Sequence, residues 1–130
     1  MATKFATYGS EVTLLAGTQS TNLTSYQVIG GIVFSPATYS YTSITLEVML
    51  ETTNAGFTAQ LRLFNVTDSI VVGADPLLTS VSLTPERKTV VLAVPADLPN
   101  SLKVYELQLK MSAASNSERV TCKSGRFLIA

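Results

Sequence analysis

The sequence contains no histidine and no tryptophan, and a single cysteine. Without histidine the commonest general base and metal ligand is missing, so Ser-His-Asp and Cys-His relays are excluded. One cysteine with no histidine cannot assemble a zinc site. Cys122 also has no partner for an intramolecular disulfide, which fits folding in a reducing compartment. Charged residues are scarce at 14%, with nine basic and nine acidic side chains, against about 25% charged in an average soluble domain. Zero net charge removes electrostatic attraction to nucleic acid or to an anionic membrane as an organising theme. No run of about 18 apolar residues is present, so no membrane-inserted helix is expected. The opening MATKFATYGSEV lacks the apolar stretch of a secretion signal, and synthesis in the cytoplasm without export is expected. No glycine-rich phosphate loop precedes a helix, and no cofactor is expected.

Apolar residues reach 46% and mean hydropathy is +0.31 over 130 residues. A chain of this length makes one ordinary domain, and its high surface-to-volume ratio calls for a more polar surface than average. The excess apolar content predicts that other protein chains cover part of that surface.

The most regular stretch is Thr42 to Gly73. Ile44, Leu46, Val48 and Leu50 alternate with Thr45, Glu47, Met49 and Glu51. Phe57, Ala59, Leu61 and Leu63 then alternate with Thr58, Gln60, Arg62 and Phe64. Period two in adjacent runs about Asn54-Ala55-Gly56 predicts an antiparallel hairpin. Its expected register places Leu50 opposite Phe57, Val48 opposite Ala59, Leu46 opposite Leu61 and Ile44 opposite Leu63. Glu47 would then pair diagonally with Arg62. Met49 and Phe64 share the outward parity and are expected at a surface or subunit contact.

Residues 1–11 read as an extended arm carrying Phe5 and Tyr8, held by its own sheet edge or by a neighbouring subunit. Residues 12–130 form the domain. Short strands are expected at 12–16, 26–34, 70–73, 77–83, 89–94, 102–111 and 119–129, with loops at 17–24, 35–41 and 95–101. Gly30-Gly31 marks a bulge or close approach inside its strand. A second bulge at Ser124-Gly125 would return Val120, Cys122, Phe127 and Ile129 to one core face. Thr89 to Val94, apolar on both faces, reads as a central strand. Eight or nine strands without a helix predict an all-β, single-domain, antiparallel β-sandwich of jelly-roll type.

Candidate sites are few. Cys122 has core parity and is expected to be a small buried hydrophobe. Glu47 and Glu51 are solvated sheet-face charges rather than a glycosidase pair. Asp68 and Asp75 flank a short strand as turn residues, with a shared calcium ion the alternative. The sequons at Asn22 and Asn65 read as chance. Tyr26, Tyr39 and Tyr41 lie in or beside one connection and form a candidate sugar platform.

From YQVIGGIVFSPATYSYTSITLEVMLETT through AQLRLFNVTDSIVV to YELQLKMS, residues 26–112, the chain resembles small virion-associated β-sandwich proteins of tailed bacteriophages and phage-like particles. The order of a strand, an FSP corner, a long hairpin, RLFNVTD with a short valine strand, and YELQL carries the likeness. It implies a decoration, head-fibre, tail or adaptor protein on a particle surface, and it brings no catalytic residues. GIVFSPATYSYTS also resembles trimeric jelly rolls of the C1q and tumour necrosis factor kind. The resulting expectation is a non-enzymatic homo-oligomer, a trimer favoured, docked on a shell or tail protein, with Phe5, Tyr8, Met49, Arg62 and Phe64 as interface candidates. A carbohydrate-binding module is the alternative.

Overall fold

The computed structural model describes residues 10–130. Phe5 and Tyr8 lie outside the described residues. Ten strands follow in chain order: β1 Ser10–Leu15, β2 Gln19–Thr21, β3 Gln27–Phe34, β4 Ile44–Thr52, β5 Ala59–Asn65, β6 Ile70–Val72, β7 Leu78–Ser80, β8 Glu86–Leu92, β9 Lys103–Met111 and β10 Val120–Ile129. Among the described residues the one helical element is a 3-10 turn at Pro36–Thr38, opened by Ser35, whose hydroxyl accepts from the Ala37 N–H.

All pairings are antiparallel. One sheet, here sheet A, runs β1-β10-β4-β8, with β2 also on β10; sheet B runs β3-β9-β5-β6, with β7 also on β5. From β3 to β5 the chain changes sheet at every step, and it does so again from β7 to β10, as a jelly roll requires. The expected β-sandwich is therefore present as a single domain, with one strand more than counted. The addition is β2, in the polar segment expected to be loop.

The expected β4–β5 hairpin does not form. β4 pairs with β10 and β8, while β5 pairs with β9, β6 and β7. The 53–58 connection carries the chain from one sheet to the other, turning where Phe57 N–H meets the Asn54 carbonyl and Gly56 N–H meets the Asn54 side chain, both at 2.9 Å. Parity was nevertheless correct. Ile44, Leu46, Val48, Leu50, Ala59, Leu61 and Leu63 are all buried, facing each other across the core rather than side by side. Alternation reports which face is buried; it carries no information on which strand lies alongside.

Sheet A closes on sheet B over Leu107 and Leu109 of β9 and an aromatic cluster of Phe34, Tyr105 and Phe127, with the Phe34 and Phe127 centroids 4.7 Å apart. Both expected bulges occur, as register shifts between Val28 and Gly30 and between Cys122 and Ser124. Gly30 is required by a close approach: a Cβ there would stand 2.4 Å from the Leu14 carbonyl oxygen, where β1 and β3 seal one side of the sandwich.

β8 is the second correction. It is the outermost strand of sheet A, not a central one, and Val91 on it is 66% exposed. Its apolar residues on both parities divide between core positions, with Leu92 buried, and open surface.

Candidate functional site

Because β4 and β5 belong to different sheets, the outward residues of the 42–73 stretch divide between opposite faces. Thr45, Glu47 and Met49 lie on the outside of sheet A; Gln60, Arg62 and Phe64 lie on the outside of sheet B. The proposed Glu47–Arg62 pair is thereby ruled out, and Met49 shares no surface with Arg62 and Phe64.

On sheet A, Arg126 is directly opposite Glu47 on the neighbouring strand. Its Nε donates to Glu47 Oε1 at 2.7 Å, and its Nη1 reaches both carboxylate oxygens of Glu11 at 2.8 and 2.7 Å. Arg87 Nε donates to the other Glu47 oxygen. Glu47 is buried, 7% exposed. Burial pushes its carboxyl upward, but the hydrogen bonds from Arg87 and Arg126 outweigh this and hold it below the ordinary glutamate value. The same contacts raise Arg126. Met49, half-buried, sits between Arg87 and Ser124.

On sheet B, the outward side chains of β9 are Val104, Glu106, Gln108 and Lys110, flanked by Gln60, Arg62 and Phe64 on β5. Arg62 organises one half of this face. Its Nε donates to Gln108 Oε1 at 2.6 Å and its Nη1 to Asp75 Oδ2 at 3.2 Å. Its guanidinium carbon lies 4.1 Å from the Tyr26 ring centroid and 5.1 Å from that of Phe64. The Tyr26 hydroxyl donates to Asp75 Oδ1 at 2.5 Å, and Lys110 Nζ stands 4.6 Å from the same ring. Burial, reinforced by Asp75, drives the Tyr26 phenol upward; the Tyr26 hydrogen bond and Arg62 hold Asp75 below the usual carboxylate range. The result is a pinned aromatic ring between Arg62 and Asp75, backed by a buried Gln108 amide that accepts from Arg62 and donates to Glu106.

The other half of the face is apolar. Val33 and Val104 are opposed on neighbouring strands and are 55% and 40% exposed. Val66 extends the stripe, donating its N–H to the Val104 carbonyl at 2.8 Å, and is itself 38% exposed.

The three tyrosines do not form one platform. Tyr26 precedes β3, whereas Tyr39 and Tyr41 follow it, and eight strand residues span roughly 25 Å. Tyr39 stacks on Phe34 with centroids 5.5 Å apart, and Tyr41 packs on the core. Asp68 and Asp75 serve separate partners, Lys103 with Asn65 for the first and Arg62 with Tyr26 for the second. No group of three His, Cys, Asp or Glu side chains suited to a metal ion occurs among the described residues. Asn65 is 2% exposed and bonded to Asp68 through both ends of its amide, so its sequon is closed to modification in the folded chain. Cys122 is buried as expected, and burial pushes its thiol to about 11. A recess of about 70 Å³ beside Asn65 and Asp97 is too small for a sugar ring. A groove of about 370 Å³ runs along the β10 bulge, but Arg126, its one cation, is already occupied by Glu11 and Glu47.

No helix is long and apolar enough to cross a membrane among the described residues. No protein-family model matches the chain, and no curated protein matches it. Solved structures do. The VP2 subviral particle of infectious bursal disease virus is similar over 91% of this chain, at 13% identity and a TM-score of 0.58. A structure of the Gx strain of the same virus is similar over 91%, at 13% identity and 0.54. The chain spans about a third of those two viral chains, 31% and 30% of their lengths. The xylan-binding module CBM15 is similar over 93% of this chain and 97% of its own, at 10% identity and 0.56. At these identities the likeness is one of fold: the chain is a β-sandwich of a kind found both in a viral VP2 subviral particle and in a xylan-binding module.

Proposed function

We propose that this chain is a non-enzymatic structural protein of a viral particle, of the decoration, head-fibre or tail-associated type found in tailed phages. It acts by self-association and by docking on a shell or tail protein. The observation that carries the reading is the exposed Val33–Val104–Val66 stripe. A row of valines open to water across adjacent strands is the signature of a surface meant to be covered. Low charge over the whole chain points the same way, and the viral sandwiches of the same fold are compatible with it. Co-sedimentation with particles from the source material is the test. The wild-type chain is expected in the particle fraction, and a Val33→Asp, Val104→Asp double variant in the supernatant while still folded by circular dichroism. A wild-type chain absent from every particle fraction refutes the proposal.

A carbohydrate-binding module is the second reading, favoured by the pinned Tyr26 ring beside Arg62, Gln108 and Phe64 and by the fold shared with the xylan-binding module. Retention on immobilised xylan, lost in Tyr26→Ala and kept in Tyr39→Ala, would move the assignment to it.

A further inference from the structure

Every sheet has two edges, and an edge strand presents unpaired backbone N–H and C=O groups to which another strand can add. Three of the four edges of this sandwich carry devices that block such addition. β1 has a register shift between Thr13 and Leu15 and is sealed against β3 at Gly30. β3 is bulged between Val28 and Gly30. The far edge of sheet B is divided between β6 and β7, of three residues each.

β8 has no bulge and is tied to the other sheet only at its start, where the Ser80 hydroxyl of β7 donates to Glu86 Oε1 at 2.7 Å. It runs seven residues in unbroken register with β4, from Glu86 opposite Leu50 to Leu92 opposite Ile44, and pairs with no other strand among the described residues. Pro85 and Pro95 both fall outside it. Glu86, Lys88 and Val90 have inward parity yet are only half-buried, as residues on an open edge should be, and Val91 is 66% exposed. Its charges are balanced within the copy, because Arg87 is turned across the sheet to Glu47 and the inward-parity Lys88 lies 3.9 Å from Glu86.

We infer that β8 is the strand through which two copies of this chain join, edge to edge and antiparallel, fusing two A sheets into one. The inference rests on the self-association proposed above and names its surface. A second copy fits the pattern of charge along the strand. A two-fold axis at Thr89 pairs all seven residues, setting Glu86, Arg87 and Lys88 of one copy against the partner's Leu92, the partner's Val91 and the partner's Val90. No two like charges are directly opposed, the two Lys88 side chains being diagonal neighbours, the stems of Arg87 and Lys88 lie along valines, and the two Thr89 side chains meet. Shifting the axis to Lys88 would oppose two lysines and leave fewer residues paired.

The register makes a prediction that depends on the sign of an introduced charge. Val91→Lys places an ammonium against the partner's Arg87, twice per dimer; Val91→Glu places a carboxylate there. Sedimentation equilibrium from about 1 μM to about 1 mM should show dimerisation weakened about tenfold by Val91→Lys and maintained or strengthened by Val91→Glu. At so exposed a position both variants should melt with the wild type. Equal weakening by both, or no effect of either on an oligomer that still forms, overturns the β8 assignment and leaves self-association standing. A trimer insensitive to both does the same. A wild-type chain that is monomeric throughout and ignores particles overturns both.

Discussion

Replacing Glu47 by glutamine removes one charge from the centre of the outer face of sheet A while keeping the shape of the side chain. Two arginines then lose their shared carboxylate. Hydrogen bonds to a charged partner contribute about 1.5–3 kcal/mol each. The Arg87 and Arg126 side chains are 53% and 39% exposed, so water takes over part of the loss and roughly half that value is appropriate. Glutamine retains one oxygen acceptor, which brings the expected destabilisation to about 1–2 kcal/mol, a fall in Tm of roughly 4–8 °C for a domain of this size. The pH dependence supplies a second, independent check. The folded state holds Glu47 below its unfolded value. Its contribution is therefore complete above the ordinary glutamate pKa and is lost as pH falls through the lowered one. Urea unfolding of wild type and Glu47→Gln should show a gap at about pH 7 that narrows as pH falls below the ordinary glutamate value and through the lowered one. A variant as stable as wild type at neutral pH, or a gap that persists in acid, refutes the reasoning.

Two further substitutions test the fold itself. Leu61→Ala should cost about 2–5 kcal/mol by leaving a cavity at a fully buried position, while Gln60→Ala, one residue away on the outer face, should change stability by less than about 0.5 kcal/mol in the same denaturant titration; equal effects would overturn the parity of β5. Gly30→Ala drives a methyl to 2.4 Å from the Leu14 carbonyl and should lower stability by about 1–3 kcal/mol or more, whereas Gly17→Ala, with nothing within 4 Å, should be neutral; thermal melts that match would mean that β1 and β3 do not close as described.

Local chemistry made much of this legible in advance. Alternation identified the buried members of β4, β5, β9 and β10, and a glycine pair and a parity break announced the two bulges, because each signal lies within one strand. What failed was every statement about neighbours across the sheet. Ile44 meets Ile129 and Leu92 rather than Leu63, and nothing in the residues near Ile44 encodes that. The Glu47–Arg62 pair failed for the same reason. β2 escaped notice because Gln19–Thr21 is polar and too short to alternate; it is held by β10, through contacts such as the 2.8 Å hydrogen bond between Ser20 and Thr121 hydroxyls. The Tyr26–Asp75–Arg62 group was equally hidden. Its members are separate in the chain, and only the order β3-β9-β5 brings them together.

The place of β10 has a consequence for how the domain comes into being. It is the last of the ten strands to leave the ribosome, yet it lies between β1 and β4 in the middle of sheet A. Until Val120–Ile129 has emerged, β1 and β2 have no strand to pair with and β4 is open along one side. Native pairing of β10 waits for sequence separations from 68 residues, Thr52 to Val120, to 119, Ser10 to Ile129, to close, the regime in which folding is slow. A nascent or truncated chain ending before Val120 would hold Leu46, Val48 and Leu50 on a half-built sheet. Emergence of β10, rather than any one hairpin, is the event that commits this domain to fold.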